Sequence, residues 1–288
     1  MLFDVILGVV ALLFLLVSSY SDLRSREVPD LLSYGLIFTA LGLRAIFSFY
    51  QGWEVLLSGV FGFSLMFLIG WLLYKTNLWG GGDSKLLMGM GAVIGISYPF
   101  SPSSLTLLWF FVALLFLGSI YGFIWIVALS VSKWSRFRPL FVERLQTYRK
   151  AHLVLGSFSA AVLGISVVSH PLWLLLLFPL AIFYLFLFVT TIEDHCFVKR
   201  ISPLKLTEGD WLDEEVVVDD DHFPRRKALE KRDVEYLQSA HSAGKLPSVV
   251  IREGVPFVPS FVFAYLVIFL GSDLALQAAK TFLGLGSP

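Results

Sequence analysis

Charge is scarce in this chain. Only 15% of its 288 residues are Asp, Glu, Lys or Arg, against about a quarter in an average soluble domain. The 22 basic and 22 acidic residues cancel, so no global basic field is there to draw in nucleic acid. Cysteine is almost missing: Cys196 stands alone. That excludes an intramolecular disulfide and any CxxC zinc or redox pair. The histidines, His152, His170, His195, His222 and His241, show no metal-ligand spacing, which sets aside a zinc centre. Internal repeats and low-complexity tracts are absent as well. What the chain does have is apolar surface: 57% of residues are hydrophobic and 16% aromatic. Its apolar runs repeatedly exceed the ~18 residues that mark a membrane-crossing helix. A large soluble enzyme is excluded as the main reading.

The expected fold is an all-α polytopic membrane protein of about eight transmembrane helices. Their limits are read as Leu2–Tyr20, Leu31–Phe49, Trp53–Tyr74, Ser84–Tyr98, Leu105–Val131, His152–Val168, Pro171–Ile192 and Pro259–Ala279. The fourth is short for a crossing, and Pro179 is expected to kink the seventh. The first run has no Lys or Arg ahead of it, whereas Arg24 and Arg26 follow it. It is therefore expected to stay as a spanning helix with its N-terminus outside rather than to act as a secretory signal. Assigning the connections after spans one, three, five and seven to the cytoplasm puts 20 of the 22 Lys and Arg there, as the positive-inside rule asks. Only Arg44 and Lys280 fall elsewhere.

Three regions follow: a membrane core at 1–192, a hydrophilic cytoplasmic module at 193–257 and a C-terminal transmembrane helix at 258–288. In the module, "RRKALEKRDVEYLQSAHSAG" reads as a short helix with Gly244 as its C-cap. "SVVIREGVPFVP" reads as extended, which makes the module small and α+β. The stretch "KWSRFRPLFVERLQTYRK", Lys133 to Lys150, interleaves basic and aromatic residues and is expected to lie on anionic headgroups.

Two carboxylates stand out at the cytoplasmic face of this topology. Asp83 follows three glycines in "NLWGGGDSKLL"; its bland role is to cap the helix that it begins. Asp22 lies just past the first span in "SYSDLRSREVPD"; its bland role is an interfacial carboxylate paired with Arg24 or Arg26. Together they suggest chemistry. Two carboxylates within a few ångströms cannot both ionise easily and come to share a proton. The ionised one can take a proton from water as the water attacks a peptide carbonyl; its protonated partner polarises that carbonyl and helps protonate the leaving amine. Glycines ahead of one carboxylate let a substrate backbone approach.

These residues resemble a known family. Gly80, Gly81, Gly82 and Asp83 fit the GxGD signature of intramembrane aspartyl proteases. "GGGDSKLL", with Lys85 two residues on, and "SDLRSREVPD" after the first span are similar to type IV prepilin peptidases, while "EGVPFVPSF" resembles the start of a late helix in archaeal preflagellin (archaellin) peptidases. The resemblance covers the membrane core and this late start. It implies Asp22 and Asp83 as the catalytic pair, Gly80, Gly81, Gly82 and Lys85 as supporting residues, no metal or organic cofactor, and cleavage of a short basic leader from pilin-like or archaellin precursors at the cytoplasmic membrane face. Bacterial members often also N-methylate the new terminus and carry a Cys-rich insert; with no CxxC here, methylation is not expected. Asp30, in "VPD", stands where the family commonly has asparagine, and its plain role is to cap the second span.

Other features have structural readings. Gly89, Gly91, Ala92 and Gly95 form a small-residue zone suited to close packing, expected to hold Asp83 near the first span. Lys85 can neutralise a nearby acid or snorkel to the interface. Asp4, Glu54 and Asp273 lie near the outer ends of spans and Arg44 in the outer half of the second; intramembrane ionisable groups are functional by default, yet snorkelling to the interface explains most of these. The acidic run Asp213–Asp221 reads first as a solvated loop and second as an attractor for a basic leader. The rival functions are a transporter or channel using intramembrane carboxylates and a non-catalytic scaffold docking through residues 193–257. Neither an acid–base pair lining a midplane path nor an inverted repeat supports the transporter.

Overall fold

The computed structural model describes residues 2–76, 78–166, 173–219, 221–225 and 227–282. Along the chain run α1 (Leu2–Ser25), α2 (Asp30–Gln51), α3 (Glu54–Lys75), α4 (Gly81–Ile94), α5 (Thr106–Ser132), α6 (Trp134–Thr147), α7 (Arg149–Ser166) and α8 (Trp173–His195). Strands β1 (Val198–Ile201), β2 (Trp211–Leu212), β3 (Val216–Val218) and β4 (Asp221–Phe223) follow, then α9 (Lys231–Ser242), β5 (Val249–Arg252) and α10 (Val258–Phe282). The chain divides into two compact units, residues 1–122 with 255–288, and residues 123–254.

The first unit is built around α4. Buried residues lie on every side of this helix, among them Leu86, Leu87, Met90 and Val93, as an element enclosed by other helices requires. Around it stand Leu7, Ala11 and Leu15 of α1, Leu36 and Ala40 of α2, Met66 of α3, Phe110 and Leu114 of α5, and Phe261 and Tyr265 of α10. Where lipid is as apolar as the helices, close backbone packing replaces the hydrophobic drive between them. Gly62 of α3 and Gly91 of α4 meet in this way: a methyl group on Gly62 would lie 2.2 Å from the Gly91 carbonyl oxygen. Gly89 faces Leu36 of α2. The small-residue zone of α4 thus packs on α3 and α2 rather than drawing Asp83 toward the first span directly.

Outward-facing side chains are large and apolar, for example Leu13, Phe38, Leu68 and Phe116, the pattern of a lipid-facing surface. Five helices among the described residues have the length and composition to cross a membrane: α1, α2, α3, α5 with its short 3₁₀ lead-in, and Phe178–His195 of α8. The apolar stretch Val258–Phe269 of α10 is shorter. The expected fourth span is corrected. The helix begins at Gly81 and ends at Ile94, 14 residues in all, or about 21 Å. It ends early because Gly95 adopts φ 75°, a left-handed conformation that stops a helix. The connection between the sixth and seventh expected spans, with His170, lies outside the described residues.

The second unit holds α6 to α8 and the α+β module. The basic, aromatic stretch from Lys133 forms helix α6, whose Phe137 stacks on Phe141 at 5.2 Å and meets Phe188 of α8 edge-on. The module has a three-stranded antiparallel sheet, ordered β1, β5, β2, and a separate β3–β4 hairpin. Its core gathers Leu212, Val216, Val218, Phe223, Val234, Leu237, Val249 and Ile251. The expected helix is shorter at its start. Residues Lys227 to Leu229 instead bond to Asp210 and Leu212, so α9 begins only after Glu230. At its other end the cap is Ala243, and Gly244 follows with φ 74°. Arg252 gathers the module's acids: its guanidinium donates to Asp213 at 2.6 Å and to Glu193 at 2.7 Å. Asp220 of the acidic run lies outside the described residues.

Candidate active site

Asp22 sits in the last turns of α1 and is buried, at 6% exposure. A carboxylate there needs donors. One comes from far along the chain: the Val258 backbone N–H donates to Asp22 Oδ2 at 2.9 Å. Val258 opens α10, whose first N–H groups have no partner within their own helix. Asp22 therefore caps a helix other than its own. The backbone N–H of Phe257 also reaches it, and the charge of Arg26 acts on it. Of the two arginines considered in the sequence, Arg26 is the one beside Asp22; Arg24 donates to the Tyr20 hydroxyl at 3.3 Å. Arg26 follows the end of α1 with φ 62°, an uncommon backbone for a residue with a side chain.

Asp83 occupies the third position of α4, half-buried. It is not the cap that the sequence suggested: Gly80 is, with extended backbone and no side-chain capping bond. The reason is that Gly81 and Gly82 already adopt helical geometry, so the helix starts two residues earlier. Asp83 Oδ2 lies close to Gly80, 3.3 Å from where a methyl group on that glycine would sit, and the charge of Asp22 acts on it. The end of α1 and the start of α4 thus bring the two carboxylates within electrostatic reach.

The glycines differ from one another. A methyl group on Gly82 would press on Val28 at 3.0 Å, in the α1–α2 connection. On Gly81 its nearest neighbour would be Tyr74 at an ordinary 3.6 Å, and on Gly80 it would be Asp83 itself at 3.3 Å. Gly82 is a packing glycine; Gly80 and Gly81 leave open surface beside Asp83.

Lys85 faces neither carboxylate. It pairs with Asp30 at 2.5 Å and lies over the Tyr34 ring at 5.1 Å. Asp30 is accordingly not the cap of α2, a place held by Pro29. Its side chain is 66% exposed, unlike that of Asp22.

Two contributors were not legible beforehand. Trp79, just ahead of the glycines, packs on Phe257 at 5.1 Å and Phe261 at 5.9 Å. The start of α10 therefore touches both carboxylate-bearing segments, Asp22 through its backbone and the glycine turn through its aromatic rings. The second is Arg44, expected to snorkel. It is instead 5% exposed and fully engaged inside the bundle.

Residues 9–127 match the family described as the type IV leader peptidase family. A preflagellin peptidase of Methanococcus voltae is 39% identical over 92 residues, which cover 32% of this chain and 39% of that protein. One from Methanococcus maripaludis is 32% identical over 91 residues, 30% of this chain and 37% of that protein. A third, from Methanocaldococcus jannaschii, is 32% identical over 87 residues, again 30% and 37%. The chain thus spans less than two fifths of the length of these relatives. No solved structure matches it.

Proposed function

We propose, from the match of residues 9–127 to the type IV leader peptidase family, that this chain is a membrane aspartyl endopeptidase. Its substrates are type IV pilin-like or archaellin precursors, and its reaction removes their short basic leader at the cytoplasmic membrane face. The observation that carries this reading is that the start of α10 joins the two carboxylate-bearing segments: its Val258 N–H donates to Asp22, at the end of α1, and its Phe257 and Phe261 pack on Trp79, just ahead of the glycines and Asp83. Similarity to three preflagellin peptidases supports archaellin-like precursors as the substrate class.

In this reading Asp22 and Asp83 are the catalytic residues. Asp22, which accepts the Val258 N–H, is the base that takes a proton from the attacking water. Asp83 holds the shared proton, hydrogen-bonds the scissile carbonyl and hands a proton to the leaving amine. The substrate backbone passes over Gly80 and Gly81, where side chains are absent. Lys85 supports the site indirectly, by fixing Asp30 and the start of α2. In this reading the N-terminus lies outside, α4 enters the membrane without crossing it, and residues 193–257 form the soluble cytoplasmic module.

Co-expression with an archaellin or pilin precursor in membranes tests this. Wild type and Asp30→Asn are expected to shorten the precursor, and Asp22→Asn and Asp83→Asn to leave it intact. Processing by either of the latter two, in cells lacking a background peptidase, removes the dyad.

A further inference from the structure

Helix α4 carries Asp83 at one end and stops after 14 residues, far short of the ~30 Å apolar core of a bilayer. Its last carbonyls therefore end among apolar helices, where unmet backbone oxygens are costly. Arg44, from the middle of α2, meets them. Its Nε donates to Ala92 O at 2.7 Å, and its Nη2 donates to Val93 O at 2.7 Å and Ile94 O at 3.1 Å. Nη1 donates to Val55 O at 2.9 Å and Ser58 Oγ at 3.1 Å, both in the first turns of α3. A guanidinium has five N–H donors in a fixed plane, and these five acceptors use them all.

The surroundings are shaped to this group. A methyl group on Gly59 would lie 2.3 Å from Arg44 Cδ, and one on Gly95 would lie 2.8 Å from its Nη2. The Phe3 ring closes the site, 5.6 Å from Cζ. α4 is thus held at its inner end by one charged side chain that also grips α3, while its other end presents Asp83.

We propose that Arg44 is a positioning residue for the peptidase reaction: by bonding the three terminal carbonyls of α4 it sets the height and rotation of that helix, and so the place of Asp83 opposite Asp22. The proposal rests on the peptidase reading. Arg44 touches neither substrate nor reacting atoms. A small displacement of a reacting group can lower a rate by about 100-fold without altering the docking of an extended substrate. Lysine carries the charge but only three donors from one point, so it does not replace the fork.

The test measures cleavage of an archaellin precursor in membranes containing wild type, Arg44→Lys or Arg44→Gln. Both variants are expected to lower kcat by roughly 10- to 100-fold, with KM within about twofold. An Arg44→Gln protein of normal thermal stability and unchanged kcat overturns the proposal, as does a loss confined to KM. If neither variant accumulates, Ser58→Ala, which removes one acceptor of the five, decides: a lower kcat at constant KM supports the clamp and an unchanged kcat overturns it. A second readout needs no activity. In a Cys196→Ser background, Asp83→Cys is labelled with a soluble thiol reagent, with and without Arg44→Gln. A several-fold change in rate supports the clamp, and equal rates overturn it. Wild type that cleaves nothing removes the peptidase reading, and the labelling result then judges the positioning of α4 by itself.

Discussion

Asp22 of α1 accepts a hydrogen bond from the backbone N–H of Val258, 236 positions further along the chain, at 2.9 Å. One carboxylate therefore has two jobs, closing the start of α10 and taking part in the proposed chemistry. The two come apart under substitution. Asparagine keeps an acceptor oxygen for Val258 but loses the charge, so Asp22→Asn should be inactive with a melting temperature in detergent close to wild type. Alanine removes both. Asp22→Ala should be inactive and less stable by about 1 kcal/mol, the usual worth of such a cap. Equal stability of the two variants would show that the bond to Val258 contributes nothing.

Glycine substitutions separate packing from substrate access. Gly62→Ala drives a methyl group to 2.2 Å from the backbone of α4, and overpacking of this kind costs roughly 1–3 kcal/mol. It should lower thermal stability first and activity with it. Gly81→Ala has room in the resting protein, and alanine suits a helix better than glycine. This variant should fold at least as well as wild type yet cleave more slowly, with the defect mainly in KM. A Gly81→Ala enzyme with normal kinetics would mean that no substrate backbone runs over that position.

Asp30 and Lys85 form an exposed pair, with side-chain exposures of 66% and 28%, and such pairs contribute about 0–1 kcal/mol. Asp30→Asn should change the melting temperature by no more than a degree or two and leave kcat intact. A large loss of activity in Asp30→Asn would transfer a catalytic role to this acid.

In the α+β module, α9 depends on Asp233. Burial works against its charge, but hydrogen bonds from Lys227 and the Glu230 N–H outweigh that and hold its carboxyl below the usual carboxylate range. A carboxyl lowered by folding stabilises the module above its unfolded pKa, and that contribution fades as pH falls through the folded value. Protection factors of the amides along Lys231–Ser242, corrected for the intrinsic exchange rate at each pH, should therefore fall on acidification below pH ~4, the ordinary range of the group. In Asp233→Asn the protection factors should already be reduced at neutral pH and change less with acid.

The sequence made the two carboxylates conspicuous because each interrupts an apolar run where a helix ends. It also marked α9, read from "RRKALEKRDVEYLQSAHSAG" with an end one residue past its true cap, Ala243, and the extended β5. Less could be read for α4. Ser84–Tyr98 looks like one apolar stretch, and only the left-handed backbone at Gly95 shows where the helix stops. Arg44 was misread for a related reason. One arginine in an apolar run resembles an interfacial anchor until the five acceptors around it are known, and those come from residues 55–58 and 92–94. The partners of Asp22 were hidden because they are backbone groups, which leave no trace in side-chain chemistry. The role of Lys85 was half legible: it does meet an acid, but that acid is Asp30.

The bond between Asp22 and Val258 also has a meaning in time. A ribosome delivers α1 to α4, and with them both carboxylates, long before it makes α10. Until Val258 emerges, Asp22 has no backbone donor from that helix, and Trp79 has neither Phe257 nor Phe261 to rest on. The growing chain thus holds both carboxylates without the backbone bond and ring contacts that α10 supplies. The hydrogen bond that closes on Asp22 in α1 is thus made only once α10 exists.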